Sequence, residues 1–214
     1  MNKIYLNKVV PEVFKQQDNI TSEVWQQDMV LVKGELCLLE AVSGAGKSSL
    51  CSYLYGYRSD YSGEIIFDTD NIRKYSFSRW GELRRNSLSI LFQELRLFPE
   101  LTVLENILLK NNLTGFKDTT WISNCLDMLG IPEKRDVLAG QLSFGQQQRV
   151  ALVRSLCQPF DFIMLDEPVS HLDEANNTLA GELLQREVRS QGAGMLVTSI
   201  GKHPRITYDK IIRL

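Results

Sequence analysis

The sequence contains no C-x-x-C pair, no long apolar run, no marked excess of one charge sign and no low-complexity linker. Each absence removes a class of protein. The cysteines, Cys37, Cys51, Cys125 and Cys157, are scattered singly, and 214 residues can bury a sizeable core without covalent staples. Neither zinc nor a disulfide framework is indicated, so buried free thiols in a reducing compartment are expected. No stretch reaches the roughly 18 apolar residues of a spanning helix. The opening segment MNKIYLNKVVPEVFK breaks its apolar residues with Lys3 and Lys8 and holds no signal-peptide core. The chain is therefore expected not to enter a bilayer by itself. Lys and Arg total 24 against 26 Asp and Glu, a formal net charge of −2, which supplies no global attraction to nucleic acid or an anionic membrane. One stretch is locally basic: Arg73-Lys74, Arg79 and Arg84-Arg85, with Tyr75 and Trp80 interleaved. It invites a nucleic-acid reading but fits a solvated arm better.

What is present is a globular composition, 43% hydrophobic and 23% charged. Residues 3–9 and 24–32 are rich in Ile, Val, Tyr and Trp and read as strands, with Asp18 and Asn19 in the turn region between them. The apolar run Leu36 to Leu39, a glycine-rich loop and a helix over Lys47 to about Leu54 follow, then a short strand from Glu64 to Phe67. Trp121, Ile122, Cys125, Leu126, Met128 and Leu129 recur at helical spacing, with Thr119 or Thr120 as the cap and Gly130 and Pro132 as the stop. A second helix runs from near Ser143 to about Cys157. After it come the apolar run Phe162 to Leu165, a helix over about 174–190, the strand Met195 to Thr198 and a last strand from Lys210. Apolar strands alternating with helices predict an α/β parallel core, and the helices between them predict an inserted lobe.

The chemistry starts at Ala41-Val42-Ser43-Gly44-Ala45-Gly46-Lys47-Ser48-Ser49, between a buried strand and a helix. That context and spacing make a phosphate loop. Gly44 and Gly46 free the backbone amides to curl around phosphate oxygens, and the helix opening at Lys47 turns its positive end toward them. Lys47 suits the β- and γ-phosphates and Ser48 suits Mg²⁺. Ala41 stands where the pattern has its first glycine: a left-handed φ there would cost about 1–2 kcal/mol, a strand-end conformation little. Downstream, Phe162 to Leu165 delivers Asp166 to a strand's carboxyl end, where it can join the Mg²⁺ shell. Glu167, one residue on, is the candidate to polarise an attacking water. Leu142-Ser143-Phe144-Gly145-Gln146 opens a helix with a capping box, Ser143 to Gln146, and offers a hydroxyl and free amides to an anion.

Together these stretches resemble the ATPase subunits of ABC transporters along nearly the whole chain. Ala41 to Ser49 matches Walker A, Leu142 to Gln146 the LSGGQ signature with Phe144 at its third position, and Phe162 to Glu167 Walker B with the catalytic glutamate. Ser170-His171-Leu172-Asp173 looks like the D-loop, and Gln93 like the Q-loop glutamine that touches Mg²⁺ and senses the membrane subunit. Phe14 stands where the family places an aromatic under the adenine. Phe92 to Ile107 looks most like the lipoprotein-release, macrolide-export and cell-division group. The resemblance implies a RecA-like P-loop NTPase fold: a parallel core over about 1–93 and 158–214, an N-terminal antiparallel β subdomain, and a helical lobe over about 94–157, one cassette of 214 residues in all. It further implies ATP and Mg²⁺ as cofactors and a head-to-tail homodimer, with Ser143, Gly145 and Asp173 of one copy closing over ATP held by Lys47 of the other. A separate integral-membrane permease is the expected partner, with no nucleic acid, and the expected place is the cytoplasmic face of the inner membrane.

One departure carries a consequence. The family usually has a histidine after the strand that follows the D-loop helix, and here Ser199 occupies it, with His203 four residues on. Serine is shorter and cannot carry positive charge, so it cannot bridge a γ-phosphate and Glu167 in the same way. Ser199, with Ala41, predicts an ATPase that binds ATP well but turns over slowly. The alternatives are a nucleotide-gated regulator of a membrane complex and a non-transport ABC protein.

Overall fold

The computed structural model describes residues 1–16 and 21–214, so the expected turn at Asp18 and Asn19 lies outside the described residues. Strands β1 (Lys3–Pro11) and β2 (Asp28–Val32) form a hairpin-like antiparallel pair. Residues 24–27, expected as strand, form a turn instead. Ser22 Oγ accepts the amides of Val24 and Trp25, Gln26 takes a left-handed φ of 61°, and Trp25 is drawn into the core rather than laid along a sheet.

Strand β3 (Leu36–Glu40) leads through the phosphate loop into α1 (Lys47–Leu54). Strand β4 (Tyr61–Phe67) is longer than expected and runs through Gly63. A Cβ at Gly63 would stand 2.4 Å from the Lys8 carbonyl oxygen, where β1 bulges, so only glycine lets the two strands stay paired. Strand β5 (Asp70–Asn71), α2 (Phe77–Asn86) and β6 (Leu88–Leu91) follow. The basic arm is tied to the protein. Arg73 stacks over Tyr61, and Arg84 donates to the carbonyls of Tyr55 and Gly56.

Three α-helices separate β6 from the next strand: α3 (Val103–Asn111), α4 (Thr119–Met128) and α5 (Phe144–Leu156). Asp118, not Thr119 or Thr120, caps α4, its carboxylate accepting the Trp121 amide at 2.7 Å. An ionised acceptor at a helix start gains from the dipole as well as the bond, which favours Asp over a neighbouring threonine. Strand β7 (Phe162–Asp166), α6 (Glu174–Ser190), β8 (Gly194–Ser199) and β9 (Lys210–Arg213) complete the order.

The strands form two sheets, antiparallel β2-β1-β4-β5 and all-parallel β6-β7-β8-β3-β9. The expected α/β class, parallel core with an N-terminal antiparallel sheet, is the one the chain adopts. Alternation divides the parallel strands between two apolar clusters. Leu36, Leu38, Ile163, Leu165, Met195 and Val197 face α3 to α6. Cys37, Leu39, Phe162, Met164 and Leu196 face α1 and the antiparallel sheet. Buried on both faces, the parallel sheet is rigid enough to hold its carboxyl edge in register, and that edge carries the site.

Candidate nucleotide site

Strands β3, β7 and β8 run parallel, so their carboxyl ends emerge together. The Ala41 amide donates to the Ser199 carbonyl at 3.0 Å, joining the start of the phosphate loop to the end of β8. Among the described residues Ala41 is not in the left-handed region, so alanine in place of glycine brings no strain. This removes half of the expected reason for slow turnover. The loop's left-handed positions are Gly44 and Gly46, at φ 81° and 98°. A Cβ at Gly46 would meet Trp25 at 3.0 Å and Phe14 at 3.1 Å. Trp25 also donates its indole N–H to the Ala45 carbonyl at 2.9 Å. Buried Trp25 and half-buried Phe14 thus form the wall on which the loop rests.

A cleft of about 260 Å³ is lined by Ser43, Gly44, Gly46, Lys47, Ser48 and Ser49, with Gln93, Glu167 and Ile200. Lys47 is buried, its Nζ donating to the Val42 carbonyl at 3.3 Å and standing 3.6 Å from Glu167 Oε1. Asp166 ends β7, 4% exposed, and accepts a hydrogen bond from the Thr198 hydroxyl. Glu167 takes a left-handed φ of 51°, a conformation costing a non-glycine residue about 1–2 kcal/mol. Its amide donates to the Thr198 carbonyl at 3.2 Å and lies 3.3 Å from the hydroxyl. Cys51, under the loop in α1, has its thiol pushed well up by burial and then by Asp166, so it stays protonated and inert.

Ser199 is not brought to the cleft. It is fully buried, and its hydroxyl accepts the Gly201 amide at 2.9 Å, while Ile200 faces the cleft in its place. His203 does not substitute for it. Its ring packs edge-on to Tyr208, and it lines a different cleft with Glu174, Asn177 and Lys202.

The signature residues also stand apart from the cleft within one chain. Ser143 caps α5, accepting the Gln146 amide at 3.3 Å while Gln146 Oε1 accepts the Ser143 amide at 3.0 Å. Leu142 is buried and Phe144 is half exposed, its ring 4.3 Å from that of His171. A Cβ at Gly145 would stand 3.0 Å from the His171 carbonyl, so glycine keeps the signature close to the Ser170–Asp173 turn. Asp173 caps α6, and the Asn176 backbone amide and side chain hold its carboxyl below the usual range.

The ABC transporter family matches residues 26–170. The chain belongs to that family. The cassette is 33% identical over 188 residues to the trimethylamine N-oxide transport system ATP-binding protein TmoW of Pelagibacter ubique (strain HTCC1062), covering 86% of the cassette but 53% of TmoW. It therefore spans about half the length of that relative. It is 29% identical over 209 residues to the ABC transporter ATP-binding protein YtrE of Bacillus subtilis (strain 168), covering 93% of the cassette and 90% of YtrE. Among solved structures it resembles the dimeric MJ0796, described as a bacterial ABC transporter cassette, with a TM-score of 0.78, 25% identity and coverage of 92% and 88%. It also resembles MJ0796 in a post-hydrolysis state bound to ADP and Pi, with a TM-score of 0.77, 25% identity and coverage of 92% and 87%. The cassette is an ATP-binding protein of the transporter class, an ABC-type ATPase by family and fold.

Three contributors were missed in the sequence reading: Trp25, Thr198 and Ile200. Trp25 and Thr198 act through contacts to residues 20 and 32 positions away. No local pattern announces such contacts. Ile200 lies just past β8, which is buried at every position, so no alternation of apolar and polar residues marks which side it faces.

Proposed function

We propose that the cassette binds ATP with Mg²⁺ and hydrolyses it in a head-to-tail homodimer to drive a separate integral-membrane permease. The observation that carries this reading is the convergence of Lys47, Ser48, Gln93 and Glu167 on one cleft at the carboxyl edge of the parallel sheet. In this reading the phosphate loop, Ala41 to Ser49, cradles the phosphates through its amides, and Lys47 offsets their charge. Phe14, beside Gly46, supplies the face for the base. Ser48, Gln93 and Asp166 offer only oxygen donors, a set suited to a hard divalent cation such as Mg²⁺. When bound, Mg²⁺ draws charge from the phosphate oxygens. Glu167 accepts a hydrogen bond from the attacking water and aims it at the γ-phosphorus, giving ADP and phosphate.

Ser143, Phe144, Gly145, Gln146 and Asp173 stand away from the cleft of their own chain, and a second copy gives them a nucleotide to close over. The helices over about 94–157 form the lobe that moves with that closure, and the remainder, 1–93 and 158–214, is the core. The permease docks in a cleft beside Gln93, lined by Tyr57, Phe92, Arg96, Phe98, Leu109 and Lys110. There Arg96 stacks on Phe92 at 3.7 Å, and Lys110 is pushed down to about 8 by burial, then by Arg154 and Arg84. No helix among the described residues is long and apolar enough to cross a membrane; the peripheral place on the cytoplasmic face of the inner membrane is what membership of the family implies. The burial of Ser199 favours one second reading, a nucleotide-gated regulator in which binding signals and hydrolysis is slow.

Replacing Lys47 tests the nucleotide assignment. Lys47→Ala is expected to weaken equilibrium ATP binding at least tenfold and to abolish hydrolysis. Unchanged binding in that variant contradicts the assignment.

A further inference from the structure

Gln148 lies in the second turn of α5, five residues beyond Ser143, with 2% of its surface exposed. A buried carboxamide has four hydrogen-bonding positions to satisfy, and this one uses three of them across the chain on a single short turn. Nε2 donates to the Glu167 carbonyl at 3.0 Å and to the Ser170 hydroxyl at 3.3 Å. Oε1 accepts the His171 amide at 3.1 Å. The Ser170 hydroxyl donates back to the same Glu167 carbonyl at 3.2 Å and lies 2.9 Å from His171 Nδ1. Glu167 is the residue in that turn with the left-handed backbone, and its amide is held on the other side by Thr198. A conformation that is unfavourable by itself persists only where its surroundings over-determine it, and Gln148 supplies one bond to Glu167 directly and a second to the Ser170 hydroxyl that shares its carbonyl.

We infer that Gln148 is a positioning residue for hydrolysis: its carboxamide clamps Glu167 in the conformation that aims its carboxylate into the cleft and joins the Ser170–Asp173 turn to the helix headed by Ser143. The inference rests on the reading of Glu167 as the group that aims the water. It assigns Gln148 no contact with nucleotide. A clamp of this kind acts on the chemical step, because a displacement of about 1 Å in a reacting group can cost on the order of a hundredfold in rate while leaving ground-state binding intact. It also puts the signature helix and the water-aiming residue in one rigid unit, so that docking of one copy's Ser143 is felt at its own Glu167.

Gln148→Met, close in volume and helix preference but without the polar ends, is the test in the full-length cassette. The expected result is a 10- to 100-fold fall in kcat, with KM and the equilibrium affinity for trinitrophenyl-ATP within about threefold of the original. In a Glu167→Gln background the same change is expected to lower residual single-turnover hydrolysis by less than about twofold, because there is no longer a carboxylate to aim. An unchanged kcat in Q148M, or an equal fold-loss in both backgrounds, overturns the inference. Should Q148M fail to give a native circular dichroism spectrum, Ser170→Ala removes the hydroxyl holding the same carbonyl, and a 3- to 10-fold fall in kcat at constant KM is expected. A wild-type kcat in S170A then overturns it. If E167Q itself hydrolyses ATP at the original rate, the role of Glu167 fails. If E167Q is inactive and Q148M is fully active, the clamp alone fails.

Discussion

At the end of β8 a serine hydroxyl is folded back onto the Gly201 amide, and the side chain that faces the phosphate loop is an isoleucine. Neither Ser199 nor Ile200 can donate a charged hydrogen bond to a γ-phosphate, and Glu167 is left with Lys47 as its near cation at 3.6 Å. Ala41 contributes nothing to slow turnover, since its backbone is unstrained. The slow turnover we propose then rests on the β8 terminus alone. Because Ser199 is folded away from the cleft, Ser199→His acts only as its longer ring swings out and takes the place of Ile200 on the cleft wall, and steady-state hydrolysis is then expected to rise about tenfold or more. The ring must displace neighbours from a fully buried position, so the melting temperature should fall by roughly 2–10 °C. A rate unchanged or lowered in S199H, measured on folded protein, contradicts this. Residues whose partners are adjacent in sequence were legible beforehand: the loop Ala41 to Ser49, Asp166 with Glu167, and the Ser143–Gln146 box. Trp25 and Gln148 were not, because each acts on a turn some twenty residues away that only the fold brings near.

At the scale of elements, the strands and helices followed their patterns where one face or both were buried. The ends were decided by hydrogen bonds that hydrophobic spacing does not carry. Ser22 turned residues 24–27 out of the first sheet, Asp118 set the start of α4, and Gly63 let β4 continue past the β1 bulge. The cysteines show how completely the elements bury their inner faces: Cys37 in β3, Cys51 in α1, Cys125 in α4 and Cys157 at the end of α5 are all buried and free. Burial, then Glu35, pushes the Cys37 thiol up to about 11, and burial, then Glu187, pushes Cys125 up to about 12. Burial also raises Cys157. Below the unfolded thiol value of about 8.5, both states are protonated and these groups add no pH dependence. Between that value and about 11 the unfolded chain loses thiol protons that the native chain keeps, so stability is expected to fall as pH rises. Alkylation by iodoacetamide at pH 8 checks the same burial. No cysteine should react in the native cassette and all should react in denaturant, whereas rapid native modification of Cys51 contradicts its place beneath the phosphate loop.

For the whole molecule, the parallel class and the position of the helices were legible in the alternation of apolar runs and helical spacing. The strand order β6-β7-β8-β3-β9 was not, since strands buried on both faces carry no mark of their neighbours. Nor was the division of the interior into two apolar clusters sharing one sheet. The phosphate loop is braced by one cluster, through Trp25 and α1, while the signature helix α5 belongs to the other, and Gln148 links that helix to Glu167. Two copies laid head to tail would complete each other's clefts. Size-exclusion chromatography of Glu167→Gln with saturating ATP and Mg²⁺ tests that claim most directly. The account predicts a stable species of twice the monomer mass that reverts to monomer when ATP is replaced by ADP. A monomer throughout, with ATP demonstrably bound, would contradict it.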